Sequence, residues 1–168
     1  TLEIRAQIER ALDAGIDVTH LDAHMGTAFM SRFIDGYLDL ALEFRLPVLA
    51  LRPPPETLRM LEDPDAGDAI LRGVDRIEQS GLPVLDGLSA DSLSFAPGSG
   101  LAHNLARLDA LEPGVTYLIC HPARGGEELS AIAPEAHARD FERSFYGGDT
   151  GREALLARGI RTLGMRPL

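Results

Sequence analysis

Residues 114–122 read GVTYLICHP, an uninterrupted run of apolar and β-favouring residues that closes on a histidine and a proline. A run of this kind is typical of a strand buried on both faces, as in a parallel sheet. Because proline cannot donate the next hydrogen bond of a ladder, Pro122 should end the strand and turn the backbone outward. His121 is therefore expected at the carboxyl end of a strand, where α/β folds collect their chemistry.

The rest of the chain repeats this alternation of strand and helix. Four further runs are strand candidates: residues 17–21, 46–52, 82–88 and 159–168. Helical periodicity is predicted between and around them: residues 1–15, 28–45, 56–81, 101–112, 135–148 and 151–159. Alternation of this kind indicates an α/β fold with parallel strands and outer helices, either an open sheet or a β/α barrel.

The number of strand candidates limits the architecture. Five are fewer than the eight of a complete TIM-type barrel of roughly 250 residues. We therefore expect residues 1–168 to form a single domain that is an incomplete, β/α-barrel-like fold, with further strands preceding Thr1. A loop rich in Ser, Gly and Pro at residues 89–100 is the best candidate for a lid.

The composition excludes several classes of function. All 16 basic residues are arginine, and both Schiff-base enzymes and P-loop proteins need lysine. The formal net charge of −10 disfavours nucleic acid and anionic membranes as partners. The single cysteine, Cys120, cannot form an intrachain disulfide and should be an inert buried thiol. These features favour a cytoplasmic protein.

A second polar motif, VTHLDAHMGTAF, occupies residues 18–29. His20, Asp22 and His24 stand at alternate positions, so their side chains share one face while the backbone stays extended. Imidazole and carboxylate groups are common ligands of Zn²⁺ and other divalent ions. An equally good interpretation places His20 in the core, Asp22 as the cap of a turn and His24 in solvent, because this spacing is less specific than an established zinc motif.

Two residues on later elements are also candidates for chemistry. His121 could exchange a proton with a bound substrate near neutral pH, although an isolated histidine more often hydrogen-bonds a loop carbonyl. Arg139 lies near the start of a predicted helix and could clamp a loop or reach a substrate. A solvated helix arginine is the simpler interpretation of Arg139.

The two motifs together resemble the YdjC-like carbohydrate deacetylases, which carry T-H-x-D-S-H and then C-H-P at the end of a later strand. The matching residues are THLDAH at 19–24 and CHP at 120–122, in the same order. The resemblance spans nearly the whole chain, including the arginine of HARDF at 137–141. It implies a β/α-barrel-like fold and a divalent ion, Mg²⁺ or Zn²⁺, that helps to remove an acetyl group from an N-acetylated sugar or oligosaccharide.

The resemblance also implies roles for individual residues. His24 would be a metal ligand, Asp22 a neighbouring catalytic carboxylate and His121 the proton-transferring residue, with Arg139 as a candidate for substrate binding. The remaining metal ligands of the family lie in D-D-x-G and G-x-H elements, which these 168 residues lack. We expect residues before Thr1 to supply them.

Two expectations follow from that missing segment. One alternative function is a non-catalytic sugar-binding or assembly module derived from the same fold. An unclosed sheet would also expose a strand edge, which a second copy of the chain could cover by forming a homodimer.

Overall fold

The computed structural model describes residues 1–54, 58 and 65–166. Contacts divide the chain into two compact units, residues 1–86 with the segment from 163 onwards, and residues 87–162. The expectation of a single domain over 1–168 stays a prediction.

Three helices of the first unit follow the predicted periodicity. They are α1 (Leu2–Asp13), α2 (Ser31–Phe44) and α3 (Ala66–Gln79). The first two confirm the helices predicted over 1–15 and 28–45, whereas the predicted start of the third at Glu56 lies outside the described residues. Among the described helices of the chain, none is long and apolar enough to cross a membrane.

Helix α2 contributes half of the described buried residues in the core of the first unit. Its buried face carries Ile34, Tyr37, Leu38 and Ala41, which pack with Val48. The Tyr37 hydroxyl also donates a hydrogen bond to the Leu21 carbonyl over 3.0 Å. The α2 face is therefore fixed against the segment that leads into the His–Asp–His motif.

The extended segments of this unit pair in parallel through single bridges. Leu21 pairs with Val48, and Leu51 pairs with Leu85. The Leu85 N–H donates to the Ala50 carbonyl over 2.7 Å. The first three strand candidates thus pair in the order in which they occur along the chain, which agrees with the predicted parallel topology.

The second unit contains a two-stranded parallel sheet. Strand β1 (Gly87–Ser89) pairs with β2 (Thr116–Leu118), and Leu88 lies opposite Tyr117. Four helices accompany the strands: α4 (Gly100–Asp109), α5 (Glu127–Ile132), α6 (Ala136–Tyr146) and α7 (Asp149–Ala157). Leu108, Phe145 and Ala154 form the buried core of this unit.

The mixed α/β class with parallel strands is confirmed, and the described residues form no closed barrel. The last strand candidate, 159–168, forms no strand over its described part, which ends at Arg166. Ile160 instead packs against the core of the second unit. An extended segment becomes a strand only where a neighbouring strand supplies hydrogen bonds. The barrel-like architecture stays a prediction.

Candidate functional site

The chain leaves β2 as the sequence predicts, and His121 follows the strand. The Ile119 N–H donates to the Ser89 carbonyl over 2.9 Å and extends the ladder beyond β2. The His121 N–H donates to Glu142 Oε2, on α6, over 2.7 Å. The backbone at His121 is therefore tied to a helix carboxylate at the point where pairing between the strands ends.

The same carboxylate also holds the His121 side chain through a serine. The Ser92 hydroxyl donates to Glu142 Oε1 over 2.7 Å, and its oxygen lies 3.0 Å from His121 Nδ1. Ser92 is 1% exposed and Glu142 is 0% exposed. His121 itself is half-buried. One buried carboxylate thus contacts the backbone of His121 directly and its ring through Ser92.

Arg107 balances the charge of that carboxylate. Its Nη1 donates to Glu142 Oε1 over 3.0 Å. Its Nη2 donates to the Ile119 carbonyl over 2.7 Å and to the Ser89 carbonyl over 3.2 Å. Arg107 therefore joins the carboxyl ends of both strands to Glu142, and the buried charges are paired and hydrogen-bonded as burial requires.

Tyr146 lies beside this network and is the first of two neutral titratable groups there, the other being Cys120. The Tyr146 hydroxyl donates to Asn104 Oδ1 over 3.0 Å. Burial, followed by the neighbouring Cys120 and Glu142, raises the pKa of Tyr146 to about 12, against a partial opposing effect of Arg107. Tyr146 therefore stays protonated near neutral pH and serves as a hydrogen-bond donor.

Cys120 immediately precedes the histidine. Burial and the negative charge of Glu142 raise the pKa of the Cys120 thiol to about 11. A thiol is nucleophilic only as the thiolate. The Cys120 thiol is therefore unreactive as a nucleophile near neutral pH, as its apolar sequence context predicts.

The loop after His121 is fastened to α6. The Ala123 N–H donates to the Arg139 carbonyl over 3.2 Å, and the Gly125 N–H donates to Asp140 Oδ1 over 2.8 Å. The Gly125 hydrogen bond, followed by Arg143, lowers the pKa of Asp140. A Cβ on Gly125 would lie 2.9 Å from Asp140 Cγ, so this close approach requires glycine.

Arg139 occupies the first turn of α6 and is half-buried. Its Nε atom is buried and has no hydrogen-bond partner within the described part of the chain. A buried donor without a partner is unfavourable in the free protein. Arg139 Nε is thus an unpaired donor among the described residues of the free protein, and the assignment of Arg139 to substrate binding stays a prediction.

The loop that carries Ser92 is anchored by two further histidines. His103 Nε2 donates to the Asp91 carbonyl over 3.0 Å, and His137 Nε2 donates to the Phe95 carbonyl over 2.8 Å. The Phe95 ring lies 4.8 Å from the His103 ring and 5.8 Å from the His137 ring, measured between centroids. The loop proposed as a lid is therefore attached to both α4 and α6.

In the first unit, the three donors of the His–Asp–His motif make separate local contacts. His20 Nδ1 lies 2.9 Å from Thr19 Oγ1. Asp22 Oδ1 accepts the Ala23 N–H over 2.8 Å. His24 begins a 3₁₀ segment, His24–Phe29. The extended backbone that would align the three side chains thus ends before His24.

The turn after His24 reverses the backbone sharply. Met25 and Gly26 have φ angles of +59° and +68°, in the left-handed region. Asp22 and His24 are both exposed and carry the donor types that Mg²⁺ or Zn²⁺ prefers. Within residues 1–54, 58 and 65–166, no three His, Cys, Asp or Glu residues are placed to hold a metal ion. The described residues therefore offer at most part of a metal site.

Sequence reasoning missed Glu142 and the two residues that hydrogen-bond to it beside His121, Ser92 and Arg107. Glu142 stands on the buried face of α6 with Ala138 and Phe145, and Arg107 stands on the buried face of α4. A charged residue in line with apolar ones at helical spacing is the signal that could have found Glu142 and Arg107. Ser92 lies in an irregular loop and gives no such signal.

Comparisons with known proteins agree with the two motifs. The family model described as YdjC-like protein matches residues 1–157. A carbohydrate deacetylase of Thermoanaerobacter pseudethanolicus is 30% identical over 142 residues, which cover 84% of this chain and 49% of that relative. The chain thus spans about half the length of the curated relative that it matches.

Proposed function

The chain belongs to the YdjC-like family, and from that premise we propose that it takes part in the metal-dependent removal of an acetyl group from an N-acetylated sugar or oligosaccharide. The relative named carbohydrate deacetylase supports this reaction class. The reaction is an amide hydrolysis, in which the carbon–nitrogen bond of the acetamido group breaks and water supplies the atoms that complete acetate and the free amine.

The observation that carries the proposal is the state of the His121 ring. Nδ1 is held by Ser92, while Nε2 makes no hydrogen bond within the described part of the chain. A histidine fixed through one ring nitrogen and available at the other is suited to proton transfer near neutral pH. In the proposed reaction, Nε2 accepts the proton that the attacking water loses and returns it to the departing amine nitrogen.

His24 is the proposed metal ligand of this chain, and Asp22 is the proposed neighbouring carboxylate. A bound divalent ion would polarise the acetyl carbonyl and lower the pKa of a water molecule. Both side chains are exposed and therefore accessible to an ion. Further ligands would come from parts of the protein outside the described residues.

The test is acetate release from a panel of N-acetylated sugars and oligosaccharides by the full protein, with metal content measured alongside. His24→Ala should abolish divalent binding and activity, whereas His20→Ala, in the same motif, should retain the metal. His121→Ala should lower turnover by at least roughly 100-fold, the lower range for general acid–base catalysis, and leave the metal in place. Unchanged metal content in the His24 variant, or an unchanged rate in the His121 variant, would remove that residue from the mechanism.

The same protein preparation also tests the alternative function, a non-catalytic sugar-binding module. It predicts saccharide binding that a chelator does not affect, together with no acetate release. Binding that disappears on chelation would count against this alternative, which predicts binding without a divalent ion.

A further inference from the structure

We propose that Ser92 and Glu142 are positioning residues that hold the neutral His121 ring in the tautomer with its proton on Nδ1, so that Nε2 is the atom that exchanges protons. This inference rests on the proposed function only for the use made of that proton. The tautomer itself follows from the hydrogen bonds among Ser92, Glu142 and His121.

The direction of the hydrogen bonds is set by the single hydrogen of the Ser92 hydroxyl. Glu142 Oε1 lies 2.7 Å from Ser92 Oγ and, as a carboxylate oxygen, can only accept. The hydroxyl hydrogen therefore points to Glu142. Since His121 Nδ1 lies 3.0 Å from the same Ser92 oxygen, the hydrogen of this second contact must belong to Nδ1. In the neutral ring, Nε2 is then unprotonated.

The surroundings keep Glu142 an acceptor. Arg107 donates to its Oε1 and the His121 N–H donates to its Oε2, so each carboxylate oxygen accepts from a group that can only donate. The other titratable groups beside the network are Cys120 and Tyr146, with pKa values raised to about 11 and about 12. Both are neutral near pH 7. Glu142 and Arg107 are thus the two charged groups within this hydrogen-bond network.

This arrangement also serves the protonated state of the ring. When Nε2 takes a proton, the imidazolium carries its positive charge one hydroxyl group away from the Glu142 carboxylate. The His121 N–H bond to Oε2 fixes the backbone of the same residue, so the ring has little freedom to turn away. Orientation and stabilisation of this kind are what a neighbouring carboxylate supplies to a catalytic histidine.

Two other histidines of the same unit provide internal references. His103 and His137 each direct Nε2 at a backbone carbonyl, over 3.0 Å and 2.8 Å. A carbonyl oxygen only accepts, so both rings must carry a proton on Nε2. His121 should therefore show a different tautomer from His103 and His137, and a single spectrum can compare all three rings.

The first experiment needs no substitution. In the uniformly ¹⁵N-labelled full protein, long-range ¹H–¹⁵N correlation at a pH where the rings are neutral reports which nitrogen carries hydrogen. We expect an Nδ1–H pattern for His121 and Nε2–H patterns for His103 and His137. An Nε2–H pattern for His121 would overturn the proposal whether or not the protein releases acetate.

The second experiment removes the hydroxyl. Ser92→Ala should release the ring into a mixture of tautomers and lower kcat by about 10-fold or more, a part of the effect of the histidine itself, with little change in KM. Ser94→Ala is the matched control, because Ser94 lies in the same loop and is exposed. A tautomer that stays pure in Ser92→Ala would show that Ser92 does not position the ring. If the ring changes and a measurable kcat does not, the positioning role in turnover is wrong.

Discussion

Arg107 Nη1 donates to Glu142 Oε1 over 3.0 Å, and the two side chains are 5% and 0% exposed. Removing two charges from water is costly, and their mutual attraction repays that cost only when further hydrogen bonds satisfy both groups. Here Glu142 also accepts from Ser92 and His121. The buried pair is thus an integral part of the structure that holds the candidate catalytic histidine.

Breaking this pair should destabilise the protein strongly. Glu142→Gln keeps the shape of the side chain and leaves the Arg107 charge without a partner, and the expected loss is about 3–5 kcal/mol of unfolding free energy. Urea unfolding of the full protein measures it. Glu153→Gln, on the exposed face of α7, is the control and should change stability by less than about 0.5 kcal/mol. Similar stability in both variants would contradict a charged, fully buried Glu142.

The raised pKa of Cys120 predicts slow alkylation. With a pKa of about 11 instead of 9.0, the thiolate fraction at pH 8 should be roughly 100-fold lower than in an unperturbed cysteine. Iodoacetamide labelling followed by mass spectrometry measures the rate, with the urea-unfolded chain as the reference. We expect the folded rate to keep rising with pH up to about 11, because only the thiolate reacts. Equal rates for the folded and unfolded chains at pH 8 would show that the thiol is neither buried nor perturbed.

How far the sequence predicts this molecule depends on which interactions decide each feature. The α2 helix and the run ending at His121 were predictable because apolar periodicity and proline act locally. The absence of a strand in the described part of residues 159–168 could not be predicted in this way. A strand needs a hydrogen-bonding partner, and the segment itself does not specify one. Hydrogen bonds across 21 to 50 positions of the chain join His121, Ser92 and Glu142, and no local pattern encodes them.

The end of α2 offers a test of backbone conformation. Arg45 is exposed and adopts a left-handed conformation with φ +52° and ψ +45°, which is unfavourable for any residue with a Cβ. Arg45→Gly should raise the unfolding free energy by about 0.5–1 kcal/mol, after allowance for the greater freedom of glycine in the unfolded chain.

Gly15, beyond the end of α1, provides the converse substitution. It has a φ of +73°. A Cβ added at this position would meet no atom of a non-neighbouring residue within 4 Å in the described part of the chain, so it would cause no steric clash there. Gly15→Ala should therefore cost about 1 kcal/mol for backbone reasons alone. Thermal unfolding of the Arg45 and Gly15 variants gives the comparison. Two shifts of the same sign would contradict the left-handed assignments.

Arg139 provides the last prediction, in which stability and function oppose each other. Its Nε is buried without a hydrogen-bond partner among the described residues, and an unsatisfied buried donor costs about 1–3 kcal/mol. Arg139→Met removes that donor and keeps much of the length of the side chain, so urea unfolding should show a stability equal to or above that of the unchanged protein. If the donor is kept for a substrate oxygen, the same variant should raise KM several-fold with a smaller effect on kcat. Arg152→Met, an exposed position on α7, is the control and should leave both constants unchanged. A loss of stability in Arg139→Met with an unchanged KM would show that Arg139 has a structural role instead.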